Sequence, residues 1–350
     1  KLCHILFEAA DDCGNFIRLV FVDFTKAFDL IDHNVLFKEF VDCDFPTWLT
    51  TWSVSFLKDR TQFVKVRDVL SDCLVTNAGA PQGTRAGSDD FKLLINDLRC
   101  NEHSVKYVDD VSMASVSDDP LNDVMQTSIN ELEQWSQCNS MRLNNKKTKE
   151  MILHFGRRFA IDAIPNLVAS GSNIERVNEF KLLGVIVRSD LNWTSHVKYM
   201  VSKASKRIFV ICTLVRSGIP VADIIAVYCS LVRSVLEYAS PVWHCGLTKL
   251  LTREIENVQK RCLKIIFPVL SYNDALKISG LERLSDRREK AAHELFKEIK
   301  KPGHVLNELL KVKTNANLRI TRDVYPYKIP RPKTSRLGRS LIVYGLTKRW

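Results

Sequence analysis

A chain of 350 residues with 45% hydrophobic side chains has material for two or three domains with real cores, which excludes a disordered tail or a small disulfide-stapled scaffold. Its ten cysteines fall singly, with no CxxC pair and no His pair at zinc-finger spacing, so they read as reduced thiols and not as a metal framework. The net charge of +11 is polarised: residues 1–150 carry 16 Lys and Arg against 24 Asp and Glu, whereas residues 151–350 carry 35 against 16. A basic half of this kind attracts phosphate backbones by Coulomb steering and counterion release, so nucleic acid is the expected partner. No run approaches the roughly 18 apolar residues of a membrane span, and no signal-peptide zoning opens the chain, which predicts a soluble intracellular protein of nucleus and cytoplasm. The chain starts at Lys1 and reaches a buried strand by Phe16, from which a missing upstream portion is expected.

In chain order, "FIRLVFVDF" (16–24) is almost wholly apolar and β-branched or aromatic, as suits a strand buried on both faces, with Asp23 near its end. Helical spacing at Leu36, Phe37, Phe40 and Val41 follows the turn-like "DLIDHN". The stretch 61–80 alternates as a hairpin with "RDVLSD" near its turn, and "GAPQGTRAG" then brings three glycines and a proline ahead of an apolar helix start at "FKLLINDL". "SVKYVDDVSMASV" reads as strand, turn, strand with Asp109 and Asp110 at the bend. Leu121 to Trp135 has helical period, and "KTKEMILHF" and "EFKLLGVIV" are further strands. Beyond residue 187 the texture becomes three long amphipathic helices, "HVKYMVSKASKRIFVICTLV", "VADIIAVYCSLVRSVLEYASPVWH" and "LTREIENVQKRCLKIIF". The last 50 residues are basic and Pro/Gly-punctuated, and are expected to be extended or loosely docked.

The chemistry concentrates in the acids. Asp23 closes one strand, and Asp109 with Asp110 bends another 86 positions on. Three carboxylates at strand ends raise one another's pKa unless a cation lies among them, and such hard oxygen donors suit Mg²⁺. Two such ions clamp the attacking and leaving oxygens of a phosphoryl displacement. Taken alone, the DD pair reads equally as an exposed acidic turn, "PQG" as a turn, and Phe28 as a core ring. Lys198, Lys203, Lys206 and Arg207 form a basic helix face suited to a duplex backbone. Trp193, Tyr199, Tyr238 and Trp243 read first as core aromatics, and His33, His196 and His244 as structural.

Together, "FVDFTKAFDLIDHNVLF", "GAPQGTRAGSDDFKLLINDL", "YVDD", "LNNKKTKEMILHF" and "FKLLGVIV" resemble, in order and approximate spacing, the palm motifs of reverse transcriptases, most closely those of non-LTR retrotransposons of the LINE or jockey-like type. "LVRSVLEYASPVWH" and "VQKRCLKIIF" resemble the helical thumb region of the same elements, and "GLTKRW" their C-terminal stretch. The resemblance implies an α+β right-hand polymerase palm, an antiparallel sheet with packed helices, followed by an α-helical thumb, with the fingers largely missing. Its implied limits are a palm with a remnant of fingers at 1–187, a thumb at 188–300 and a basic extension at 301–350.

The resemblance also implies the roles. Asp23 and Asp109 would be the principal metal ligands with Asp110 the second acid, and the Phe24 carbonyl would complete the shell of two Mg²⁺ ions, for which Mn²⁺ could substitute. Phe28 would exclude a 2′-hydroxyl on the incoming dNTP. Pro81, Gln82 and Gly83 would support the template base and nucleotide, with Lys147 near the triphosphate. Leu183 and Gly184 would form the turn of the primer grip, and the basic helix face would follow primer and template. The implied activity is RNA-directed DNA synthesis from a DNA 3′-hydroxyl on an RNA template. The alternative is a catalytically inactive retroelement fragment that binds nucleic acid through its basic thumb, and an unrelated Mg²⁺ nuclease is a third reading. Val108, Ser88 and the Asp89–Asp90 pair depart from the family's usual residues, the last being expected at a helix start where the dipole tolerates charge.

Overall fold

The computed structural model describes residues 1–81, 83–156, 160–161, 164–312 and 325–350. The chain divides into two compact units, one of residues 14–177 and one that joins residues 3–13 to 178–350. The first helix, α1 (Leu2–Ala9), thus belongs mainly with the C-terminal half of the chain and not with the sheet that follows it in sequence.

In the unit 14–177, β1 (Phe16–Val22) is buried at all seven positions. After α2 (His33–Asp42) and α3 (Thr47–Leu57) come β2 (Arg60–Gln62), β3 (Lys65–Val66), β4 (Val69–Leu70) and β5 (Leu74–Thr76), then α4 (Arg85–Leu94), β6 (Val105–Tyr107), β7 (Asp110–Ser117), α5 (Met125–Cys138), β8 (Lys149–His154), the short pair β9 (Val168–Ala169) and β10 (Ser172–Asn173), and β11 (Glu175–Arg176). The main sheet has the order β11-β8-β1-β7-β6, antiparallel except for β11 on β8, so β1 is covered along both edges. Both of its faces are buried as well, which is why its sequence lacks alternation. Its one charge, Arg18, is buried between Asp123 at 2.6 Å and Glu150 at 2.8 Å, a pairing that a strand closed on both faces requires.

Val20 and Val22 join Val111 and Met113 in a core that also takes Ile31, Leu36 and Phe40 from the α2 region, Phe91 and Leu94 from α4, and Ile129 and Leu132 from α5. The expected 61–80 hairpin is present as two nested pairs, β2–β5 and β3–β4, turning at Arg67 and Asp68, with Arg67 at φ 55°. The helix after the Gly/Pro loop begins at Arg85, six residues before the expected apolar start. Asp89 and Asp90 therefore lie beyond the first turn, where the helix dipole no longer helps them. Asp89 is instead paired with Lys92 at 2.9 Å, and Asp90 is buried.

In the other unit, β12 (Glu179–Leu182) and β13 (Val185–Arg188) form a hairpin, followed by α6 (Thr194–Arg216). The second of the three long helices is interrupted. It runs as α7 (Val221–Val227), a π-helical segment at Tyr228–Arg233 and α8 (Ser234–Glu237), stops at Tyr238 and Ala239, and resumes as the one-turn α9 (Ser240–Trp243). Ala239 takes φ 50°, a left-handed conformation that ends any α-helix. Then come α10 (Lys249–Ile266), α11 (Tyr272–Ser279), α12 (Leu284–Ile299) and α13 (Leu341–Lys348).

The expectation of a loosely docked tail fails for its last residues. Ile342 and Leu346 of α13 are buried with Phe296 and Ile299 of α12, and Gly345 approaches the Phe296 ring so closely that a Cβ there would lie 2.5 Å from it. Asp11 accepts bonds from the Lys333 and Thr334 amides at 2.9 and 2.7 Å, tying the segment after α1 to the same region. All ten cysteines are free thiols, and no helix among the described residues is long and apolar enough to cross a membrane.

Candidate active site

β1 ends at Val22, which opposes Val111 of β7, so Asp23 is the first residue past that pairing and Asp110 is the residue that opens β7. The charge of Asp23 reaches Asp110, so the two acids lie close together at this end of the sheet. Asp109 occupies the two-residue turn between β6 and β7, because Tyr107 pairs directly with Asp110. The other turn residue, Val108, takes φ 53°. A β-branched side chain at positive φ is a strained choice, and such strain persists where surrounding structure over-determines it.

The Asp23 backbone is pinned by its neighbour in space. Its N–H donates to Thr148 Oγ1 at 3.3 Å, and its carbonyl accepts from the Asn144 amide at 2.8 Å. Phe24 bridges Leu143, and the flanking bonds, from Asn144 N–H to the Asp23 carbonyl and from Thr25 N–H to the Arg142 carbonyl, leave the Phe24 carbonyl out of that pairing. The Asp23 side chain is less well satisfied. Its Oδ2 is buried without a hydrogen-bond partner, and the nearest cation, Lys147 Nζ, stands 3.9 Å away. Desolvation, then Asp109, then Asp23 raise the pKa of Asp110 above the usual carboxylate value. The site thus holds uncompensated negative charge, the condition under which a bound cation is most stabilising.

The loop 79–87 is clamped to the segment after β1. The Gly79 amide donates to the Ile31 carbonyl at 2.8 Å, the Ala80 amide to the Phe28 carbonyl at 2.9 Å, and His33 Nε2 contacts the Gly79 carbonyl at 2.8 Å. Gly79 has φ +83°, and a Cβ there would lie 2.8 Å from the Asp29 carbonyl, so only glycine fits. The Thr84 hydroxyl caps α4 through the Gly87 amide at 3.1 Å and donates to the Pro81 carbonyl at 2.8 Å. Gly83 takes φ +80° in open space. Phe28, half-buried, stacks on Phe91 with centroids 5.0 Å apart. Gln82 lies outside the described residues.

The unit 14–177 therefore carries Asp23, Phe24, Phe28, Pro81, Gly83, Asp109, Asp110 and Lys147, whereas Leu183, Gly184, Lys198, Lys203, Lys206 and Arg207 belong to the other unit. Leu183 and Gly184, at φ 45° and 85°, are the two turn residues between β12 and β13. Lys198, Lys203 and Lys206 are exposed on α6. Arg207 departs from them: its Nη1 donates to the Leu231 carbonyl at 2.5 Å, which braces the π-helical segment. Of the aromatics, Trp193 and Trp243 are core residues, whereas Tyr238 is 53% exposed. Sequence reasoning passed over Thr148 and Gly79. Only Gly79 carried a signal, its place at the head of the glycine-rich stretch.

The model of the family described as reverse transcriptase (RNA-dependent DNA polymerase) matches residues 8–187, which span every element of this site. The chain belongs to the reverse transcriptase family. A relative from Drosophila melanogaster, described as a probable RNA-directed DNA polymerase from transposon BS, is 25% identical over 278 residues. That match covers 75% of this chain and 30% of the relative, so the chain spans less than a third of that protein's length. The resemblance to non-LTR retrotransposon enzymes agrees with both findings. Two solved telomerase structures are also similar, each in complex with a TWJ fragment of telomeric RNA. The one from Candida tropicalis has TM-score 0.41 at 13% identity, covering 85% of this chain and 45% of that one. The one from Candida albicans has TM-score 0.33 at 11% identity, covering 87% and 54%.

Proposed function

We propose that this reverse transcriptase chain catalyses RNA-directed DNA synthesis of the non-LTR retrotransposon type, extending a DNA 3′-hydroxyl on an RNA template and releasing pyrophosphate from a dNTP. The observation that carries the reading is the nearness of Asp23, just past the end of β1, to Asp110 at the start of β7, with Asp109 in the adjoining turn, beside a loop clamped to Phe28. The residues fit a divalent cation by the chemistry of their donors, since Asp23 Oδ2 is buried without a hydrogen-bond partner, its only close cation being Lys147 at 3.9 Å, and Asp110 is raised by burial and then by like charge. Among the described residues no group of three or more His, Cys, Asp or Glu side chains stands in a geometry that could hold a metal ion. Mg²⁺ takes only one or two carboxylates from a protein and keeps water and substrate phosphate in the rest of its shell. Asp23, Asp109 and Asp110 would hold the ions, with the Phe24 carbonyl as a further oxygen donor. Bound there, the ions would lower the cost of the charge that develops on the attacking and leaving oxygens.

The rest of the reading concerns this chain's own groups. The Phe28 ring, fixed by Phe91, is the steric element that excludes ribose, because the 2′-hydroxyl is the only added group. Pro81 and Gly83 offer backbone at close range to a base pair, as a small-residue turn allows. Lys147 is placed to neutralise a phosphate and, at 3.9 Å from Asp23, lowers the repulsion among the acids when no substrate is bound. The β12–β13 turn is the primer grip, and the exposed lysines of α6 follow the duplex backbone. In this reading the palm is the unit 14–177 and the thumb the helical part of the other unit.

The test is primer extension on an RNA template with Mg²⁺, comparing the chain with its Asp109→Ala form. Extension that falls by a factor of about 10³ or more in the variant supports the assignment, as loss of a charge-stabilising group at the reacting atoms does elsewhere. Equal extension by both would overturn it.

A further inference from the structure

The hairpin turn at Leu183 and Gly184 is held from outside by one side chain. Tyr238 donates its hydroxyl to the Leu183 carbonyl at 2.9 Å. Its ring also lies over Gly184, so a Cβ at that position would stand 3.0 Å from Tyr238 Cε1. Both turn residues have positive φ, which for Leu183 is an unfavourable conformation. An unsupported turn with leucine in that region would relax, and the tyrosine is the group that opposes it.

Tyr238 is in turn fixed by its own surroundings. It ends α8, and the next residue, Ala239, breaks the helix at φ 50°. The fully buried Trp243 donates Nε1–H to the Tyr238 carbonyl at 3.0 Å. The π-helical segment before α8 inserts extra backbone, and Arg207 bonds its Leu231 carbonyl. A one-residue change in a helix rotates everything after it by about 100°, so the wide turn sets the direction in which Tyr238 leaves the helix. At the hairpin's other end, the Ile186 amide donates to Nδ1 of the buried His196 at 3.3 Å. Despite this anchoring, Tyr238 remains exposed, which a residue serving only the core would not be.

We propose that Tyr238 is a positioning residue for the primer, its hydroxyl and ring fixing the Leu183–Gly184 turn and, through that turn, the 3′ end of the DNA strand. The proposal rests on the reading of the hairpin as the primer grip. Its test uses a DNA primer ending in 4-thiothymidine, annealed to an RNA template and bound to the 350-residue chain. Irradiation crosslinks the primer terminus to whatever protein segment contacts it, and peptide mapping locates the site without requiring turnover. In the unaltered chain the crosslink falls in residues 179–188. In Tyr238→Phe, which removes only the hydroxyl, its yield there falls about fivefold, with duplex affinity and melting temperature unchanged. A core residue would change the melting temperature instead.

If Tyr238→Phe and Tyr238→Ala both crosslink as the unaltered chain does, the positioning role is overturned while the primer grip stands. If the unaltered chain crosslinks elsewhere, the primer grip itself is overturned and the proposal with it. Should Tyr238→Ala fail to fold, Tyr238→Phe decides alone.

Discussion

Asp90 shows how a single residue in this site trades stability for placement. It lies on the buried side of α4, immediately before Phe91, whose ring stacks on Phe28, and burial followed by the charge of Asp89 pushes its pKa up to about 6. A carboxyl raised in the folded state binds its proton more tightly there than in the unfolded chain. Stability is therefore highest below the unfolded value of 3.8, is lost as pH rises towards 6, and stays lost above it. Asp90→Asn should stabilise the fold by roughly 1–3 kcal/mol at pH 8 and by almost nothing at pH 3.5, the upper figure being the full ionisation cost before any solvent screening. Denaturation midpoints of the two proteins across that range check this, and a pH-independent difference would refute it. Nothing in the sequence marked Asp90 as buried. Helix periodicity started from Phe91 could not show that the helix begins at Arg85 and carries Asp90 inward.

At the scale of elements, the strands were legible and the interruptions were not. Strand β1 announced itself by an apolar run, and the hairpin of Asp109 and Asp110 by its alternation, because both patterns follow directly from burial. The break at Tyr238 and Ala239 left one sign, Pro241, which suits the first turn of the helix that resumes at Ser240, and the apolar pattern around it hid that sign. Apolar spacing continues through "LVRSVLEYASPVWH", and alanine is the strongest helix former, so the left-handed Ala239 is imposed by tertiary contacts that local propensity cannot reveal. The clamp between the 79–87 loop and residues 28–31 was half legible. Glycine richness showed that backbone would approach something, and the structure shows that Gly79 approaches the Asp29 carbonyl. Gly79→Ala should accordingly destabilise the unit by roughly 1–3 kcal/mol from positive φ alone, before the collision with that carbonyl is counted. Chemical denaturation measures it, and a change below about 0.5 kcal/mol would mean that the loop moves freely.

For the whole molecule, the two units should respond to acid in opposite directions. His196 is buried without charge, and burial depresses its pKa to about 4. A histidine depressed in the folded state contributes stability that is complete above its unfolded value of 6.5 and lost as pH falls towards 4. The unit of 178–350 thus weakens by up to about 3 kcal/mol over that interval, while the unit 14–177 gains from Asp90 as its carboxyl becomes protonated. Calorimetry at pH 8 and pH 5 should show the two transitions moving apart or exchanging order. His196→Gln should reduce the acid sensitivity of the unit of 178–350, the remainder coming from His4 and His244, which burial also depresses, and an unaltered pH response in that variant would refute the assignment. The polarised charge was readable as nucleic-acid affinity from the sequence, yet the grouping of residues 3–13 with the far end of the chain was not. Adjacency in sequence to β1 argued for the sheet, and a short amphipathic helix carries no mark of which distant partner it will meet.

The bonds between Asp11 and residues 333 and 334 also set a clock for biosynthesis. Helix α1 leaves the ribosome ahead of the sheet unit, but its partners at 333 and 334 emerge more than 300 residues later, a delay of about 15–60 s at ordinary elongation rates. The sheet unit, whose contacts are all complete by Val177, is free to fold during that interval. Until residues 333 and 334 emerge, α1 waits with its apolar side chains exposed, so a nascent chain stalled before them would carry that helix unpacked while its sheet unit is already folded.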